Sequence, residues 1–204
     1  MKRQPSSGLG LVVLDETVVG VALPTIRQEL AMSEVASHWV INAYLLTFTC
    51  FLAVGGKLVD MLGRRAVFPA GALIFMAGSL MAGLAPTGNW LIAARALQGI
   101  GAAITFPASM AIVTHTFPPE TRGVAFGVQT TIAGCFMASG PLVGGFFSEV
   151  VSWRWIFLIH LPVVSATVGA LLLTYTAPDL FTRDAAAFGP RPFAYAGLPA
   201  LRAG

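Results

Sequence analysis

Along the 204 residues, long stretches without a charge alternate with short polar ones. Trp39 to Gly55 carries no charge and Ala66 to Ala85 carries none. Between them stands Gly56-Lys57-Leu58-Val59-Asp60-Met61-Leu62-Gly63-Arg64-Arg65. An apolar run of about 20 residues at ~1.5 Å each crosses the hydrocarbon of a bilayer as a helix. A charged turn between two such runs has to sit in water or among headgroups, because its backbone and charges find no partners in hydrocarbon. The same alternation predicts six membrane helices: Gly8–Thr25, His38–Lys57, Ala66–Ala85, Trp90–Thr114, Gly123–Phe147 and Trp155–Tyr175. The first is short for the task, at roughly 18 residues and about 27 Å. Arg27 to Ser37 reads as an amphipathic loop, Pro86-Thr87-Gly88-Asn89 as a turn, and Pro118 to Arg122 as a polar loop.

The fold class is therefore all-α and integral to the membrane. Residues 1–7 form a short polar start, 8–176 a six-helix domain, and 177–204 a tail. The tail holds Gly189-Pro190, Arg191-Pro192 and Leu198-Pro199 and no spanning run, so it is expected to be disordered or loosely surface-bound. Composition agrees: 56% of residues are hydrophobic and 10% charged, against about 25% charged in a soluble domain.

Charge adds orientation. Lys2, Arg3, Lys57, Arg64, Arg65 and Arg122 fall on one side of the six-helix arrangement, with Arg183, Arg191 and Arg202 of the tail. Only Arg27 and Arg154 fall on the other. Short cytoplasmic loops are rich in Lys and Arg, so both termini are expected to be cytoplasmic, in the cell (inner) membrane. Trp39, Trp90, Trp153 and Trp155 stand at helix ends, as interfacial anchors do. A net charge of +3, scattered among loops, gives no face for nucleic acid. Cys50 and Cys135 lie inside apolar runs and read as small packing residues. His38, His115 and His160 are isolated, so neither a metal nor a cofactor is expected. With no nucleophile–base pair in the membrane segments, an enzyme is a poor reading.

Three charged residues inside two apolar runs invite a function. Asp15 and Glu16 stand within the first run, where an acid near mid-helix costs about 2.5 kcal/mol or more. An acid kept there is by default a proton or cation site, although Asp15 lies only about seven residues from the helix start and could face headgroup water. Arg95 is about five residues into the fourth helix. It either snorkels to the interface or forms a fixed buried cation whose field tunes a nearby acid. In the fifth helix Gly127, Gly134, Gly140-Pro141 and Gly144-Gly145 permit close helix approach and bending.

The motifs together resemble a known family. Gly56, Leu58, Asp60, Gly63, Arg64 and Arg65 match the loop between helices two and three of the major facilitator superfamily, Gly-x-Leu-x-Asp-x-x-Gly-Arg-Arg/Lys. Leu14-Asp15-Glu16-Thr17-Val18-Val19-Gly20-Val21-Ala22-Leu23-Pro24 resembles the first-helix signature of its 14-helix drug:proton antiporters, with Gly20 where Asn is usual. Arg95, Gln98, Gly99, Gly101 and Ala102 match the fourth-helix pattern Arg-x-x-Gln-Gly-x-Gly-Ala. Gly140-Pro141-Leu142-Val143-Gly144-Gly145 is similar to the antiporter motif, with Phe136 at a position usually Gly. Trp153-Arg154-Trp155-Ile156-Phe157 resembles the entry to the sixth helix, with His160 for the usual Asn.

What the resemblance implies is the N-terminal half of a proton-coupled multidrug efflux antiporter, built as two inverted three-helix repeats. It implies proton coupling by Asp15 and Arg95, and a cytoplasmic latch of Gly56, Asp60, Gly63, Arg64 and Arg65. It implies helix bending at Gly140, Pro141, Gly144 and Gly145. Its partners would be a proton, a small hydrophobic or cationic drug-like substrate, and lipid. With the family's second half replaced by the tail after Leu180, as in a truncated or frameshifted product, the chain is expected not to transport alone. The alternative is a non-transporting six-helix module that homodimerises or binds a partner.

Overall fold

The structure, a computed structural model, describes residues 7–174, with side chains from 17 to 169 apart from positions 115, 116, 143 and 149. The expectations for Lys2, Arg3 and the tail 177–204 lie outside the described residues. Those residues are helical almost throughout: α1 (Ser7–Glu29), α2 (Glu34–Leu62), α3 (Arg64–Gly83), α4 (Gly88–Thr116), α5 (Pro119–Phe146), a π-helical turn (Phe147–Val151), α6 (Arg154–Leu158) and α7 (His160–Thr174).

Most expected boundaries move outward because the polar connectors turn out to be helix caps. The amphipathic loop Arg27–Ser37 shrinks to a turn: α1 continues through Pro24 to Glu29, and α2 starts at Glu34. Ser33 makes this possible, its Oγ accepting the Ala36 N–H at 3.2 Å, with Glu34 complementing the helix dipole. Thr87 does the same for α4, accepting the Trp90 N–H at 3.4 Å. α5 begins at Pro119, whose fixed φ and missing N–H suit a first helical position, four residues before Gly123.

The charged stretch 56–65 is likewise not a loop. Gly56, Lys57, Leu58 and Asp60 are in the last turns of α2, and Arg64 opens α3. The chain reverses at Gly63 alone, with φ 84° and ψ 145°, backbone that a side chain would oppose. The Gly63 N–H still closes α2 on the Val59 carbonyl at 3.0 Å, and its own carbonyl accepts the Val67 N–H at 3.2 Å.

The sixth helix, expected to be continuous, has a one-residue break at Ile159 between α6 and α7, where the backbone stays helical at φ -63° and ψ -23°. Pro162 explains the break, because it has no N–H to donate to the Leu158 carbonyl. Among the described residues four helices are long and apolar enough to cross a membrane: Glu34–Leu62, Arg64–Gly83, Gly88–Thr114 and Pro119–Phe146. This makes the chain an integral membrane protein.

α4 lies centrally, packed on α2 and on α3, while α5 packs along α1. In both cross-pairings a glycine meets a threonine. A Cβ on Gly99 of α4 would strike Thr47 Oγ1 of α2, and a Cβ on Gly140 of α5 would strike Thr17 Oγ1 of α1. Thr47 Oγ1 also donates across to the Ala96 carbonyl of α4 at 2.9 Å. Other small residues pack less than expected. Gly127, Gly134 and Gly145 have open space beside them, and Cys50 and Cys135 are exposed, not packed. Trp39, Trp90 and Trp155 are exposed as anchors would be, but Trp153 is 1% exposed and belongs to the core.

Candidate functional site

Arg95 is the centre of the site. Its side chain is fully buried, which removes the snorkelling alternative. Nε donates to the Val40 carbonyl of α2 at 3.1 Å, and Nη1 donates to Gln98 Oε1 at 2.9 Å. Gln98, one turn along α4 and equally buried, donates through Nε2 to Ser79 Oγ of α3 at 2.7 Å. The guanidinium lies over the Tyr44 ring at 4.4 Å and near the Phe157 ring at 5.8 Å. A permanently charged group is thus held by a carbonyl and a ring face of α2, an amide of its own helix and a ring face of α6.

The fourth-helix motif makes this packing possible. Gly99 brings α4 onto the Tyr44 carbonyl of α2, and Gly101 brings it onto the Phe75 backbone of α3. A Cβ on Gly78 would sit 2.7 Å from Gln98 Cγ, so α3 too depends on a missing side chain here. His160, at the family's Asn position, is buried beside the site. Its Nδ1 is 3.3 Å from the Phe157 carbonyl, and its ring stands edge-on to Phe75 at 5.6 Å. In a buried site a fixed cation attracts a carboxylate brought beside it more strongly than it would in water. Asp15 lies on α1, which packs against α4, but its side chain is outside the described residues.

The other expected residues fall into two groups elsewhere. Gly140 and Gly144 form the α1–α5 contact, Gly144 facing the Val18 carbonyl, 2.9 Å from where its Cβ would be. Pro141 is exposed and α5 continues past it to Phe146, while Gly145 faces open space. Asp60 is exposed on the last turn of α2, with Gly56 open beside it; Arg64 and Arg65 are half-buried at the start of α3. These groups are separate from the Arg95 cluster.

One cluster was not foreseen. At the far end of the bundle from Gly63, Arg154 pairs with Glu29 through Nη1 and donates through Nη2 to the Ala85 carbonyl at 3.1 Å. The second carboxylate oxygen of Glu29 accepts the Trp153 indole N–H at 2.7 Å, and the guanidinium lies 4.5 Å from the Trp153 ring. Arg154 donating to it holds the Glu29 carboxyl below the ordinary carboxylate range, against some desolvation, and the indole bond and the guanidinium charge act in the same direction. Its members are up to 125 residues apart. In the sequence Arg154 counted as a loop charge and as part of the sixth-helix entry motif, with no partner named for it.

Comparison with known proteins decides the family. The sequence profile of the Major Facilitator Superfamily matches residues 6–200. The chain belongs to the Major Facilitator Superfamily. Puromycin resistance protein pur8 of Streptomyces alboniger is 44% identical over 165 residues, 80% of this chain and 33% of that protein. Cephamycin export protein CmcT of Amycolatopsis lactamdurans is 42% identical over 156 residues, 75% of this chain and 32% of that one. Multidrug transporter protein MdtP of Bacillus subtilis is 38% identical over 185 residues, 91% and 33%. The chain therefore spans about a third of the length of these relatives, two of which are named for export or transport. Among solved structures, the inward-open xylose transporter XylE from E. coli superposes with a TM-score of 0.66 at 16% identity, over 89% of this chain and 49% of that one. A peptide transporter does so with 0.68 at 17%, over 90% and 42%. Both show the fold.

Proposed function

We propose that this chain is the N-terminal, six-helix half of a proton-coupled multidrug efflux antiporter, with Asp15 and Arg95 as its coupling pair. The observation that carries this reading is the buried Arg95, fixed by Val40, Gln98 and Tyr44. A cation kept dry is expensive unless it acts on a second charge, and a proton-accepting carboxylate supplies one. Asp15 stands on α1 one turn before Val18 and Val19, two core residues of the helix that packs on α4. The drug and antibiotic names of the relatives support a small hydrophobic or cationic substrate.

Two inverted three-helix repeats are supported by the pairings. Exchanging helices one to three with four to six turns the α1–α5 contact into the α2–α4 contact, and each is a glycine on a threonine. In this arrangement the sixth helix is α6 with α7, both termini and the Gly63 turn are cytoplasmic in the inner membrane, and Gly56, Asp60, Gly63, Arg64 and Arg65 form the latch. Gly140, Pro141, Gly144 and Gly145 shape α5. Residues 1–204 alone do not transport, because the substrate pathway lies between this half and a second one.

The test is a chimera in which residues 8–176 replace the matching segment of MdtP. Efflux of a hydrophobic cation such as ethidium is expected from the chimera and none above background from the chain alone. Asp15→Asn should abolish proton-driven efflux while leaving the protein in the membrane. Undiminished efflux by that variant would remove Asp15 from the mechanism. A second reading, a dimerising module, draws on the exposed apolar side chains of α2, among them Leu46, Phe51 and Val54. A single discrete dimer on native gels, with an inactive chimera, would favour it.

A further inference from the structure

We propose that Glu29 and Arg154 are positioning residues for the buried Arg95, acting through Trp153 and Phe157. α6 is the outer turn of the sixth helix, joined to α7 through Ile159, and side-chain contacts tie its outer end to α1 and α3. Three contacts fix its outer end. The Glu29 carboxylate takes the Arg154 guanidinium on one oxygen and the Trp153 indole N–H on the other, at 2.7 Å for the indole. Arg154 reaches on to the Ala85 carbonyl at 3.1 Å, so the ends of α1 and α3 share one guanidinium. Gly83 lets α6 lie directly on α3, since a Cβ there would stand 2.7 Å from Leu158 Cδ2.

From that end the contact runs inward without a gap. The Trp153 ring, fixed by its N–H, meets the Phe157 ring edge-on at 6.1 Å and 88°. Phe157 is fully buried and its ring is 5.8 Å from Arg95 Cζ. Arg95 then holds the Val40 carbonyl of α2. An exposed ion pair on its own contributes little. Here the pair is half-exposed, but its carboxylate orients a fully buried indole, and the indole is the wall against which the Phe157 ring rests. Moving Glu29 therefore moves a ring face that Arg95 uses. The importance of this link for transport rests on the coupling role proposed for Arg95; the link itself does not.

The measurement is hydrogen exchange of the Arg95 side-chain Nε–H, followed by NMR on the chain in lipid nanodiscs with isotope-labelled arginine and tryptophan. In the wild type this proton is buried and bonded, so it exchanges slowly. Glu29→Gln is expected to shift the Trp153 indole signal and to speed Arg95 Nε–H exchange about tenfold, the size of one charge-assisted hydrogen bond. Phe157→Leu should speed Arg95 exchange while leaving the indole signal in place. Should Glu29→Gln fail to fold, Trp153→Phe leaves a smaller aromatic ring in place, removes the N–H and reads the same link through Arg95 exchange. A shifted indole signal with Arg95 exchange unchanged in both Glu29→Gln and Phe157→Leu would overturn the proposal. No transport is measured, so failure here and failure of the efflux reading give different results.

Discussion

The two ends of the bundle are built in different ways. At the Gly63 end a reversal is made within one stretch of chain: α2 stops, one glycine turns, and α3 starts at the next residue. At the opposite end Glu29, Ala85, Trp153 and Arg154 come from three places in the chain and close by side-chain contacts. The first end depends on a backbone conformation and the second on a shared carboxylate. The latch proposed for this end would work around the first design, where one glycine carries the reversal and Leu58 and Val59 of α2 pack on the cluster that holds Val67 and Phe68 of α3. The second design ties α1, α3 and α6 together and suits a rigid end.

The comparison breaks most completely at Trp153. Removing its ring leaves a cavity beside Phe157 and frees the Glu29 carboxylate from its indole partner, both at a position 1% exposed. Trp153→Ala is expected to destabilise the chain in detergent by about 3–5 kcal/mol, the usual loss for a buried aromatic cut to alanine. Trp155→Ala, two residues along but 51% exposed, is the contrast and should lie within about 1 kcal/mol of wild type. Equal effects in thermal unfolding would mean that the closed end is not held by Trp153.

At the other end the motif glycines separate. Gly63 has φ 84° and ψ 145°, a region almost reserved for glycine, so Gly63→Ala should cost about 1–3 kcal/mol. Gly56 is a helical residue with nothing within 4 Å of its Cβ position, so Gly56→Ala should be neutral or stabilise by about 0.5–1 kcal/mol. If the latch closes on Gly56, as the motif implies for a second half, the same substitution would lower efflux in the chimera without lowering stability. Unfolding and transport measured on both variants separate a turn glycine from a contact glycine.

The ease of reading these ends from the sequence follows from their construction. The Gly63 turn was visible because everything that makes it lies in ten consecutive residues, although its length was overestimated: the helix was ended at Lys57, and residues 58–62, with the charge at 60, are the last turn of α2. Helix starts were placed late at His38 and Gly123 because Ser33 and Pro119 were taken as loop residues when they begin helices. Arg95 and Gln98 were singled out by motif, but neither burial nor the Ser79 partner follows from spacing along one helix. At the closed end the motif drew attention to Trp153 and Arg154, but no periodicity connects them with Glu29, so the cluster itself was not legible.

The smallest effect is the pH dependence of that closed end. Hydrogen bonding by Arg154, with help from Trp153, lowers the Glu29 carboxyl below its value in an unfolded chain, about 4.3. A carboxyl lowered on folding contributes stability that is fully present above the unfolded value. That contribution is lost as pH falls through the lower folded value. Glu29 is 47% exposed and Arg154 32%, so solvent screens the pair and the contribution at neutral pH is about 1 kcal/mol or less. Wild type should therefore unfold slightly above Glu29→Gln at pH 7, and the gap should close as the sample is acidified below about 4. Arg154→Gln should remove the same dependence from the other side. A gap that persists unchanged at low pH would mean that the glutamine variant loses packing around Trp153, not a charge, and the closed end would then be held by its indole alone.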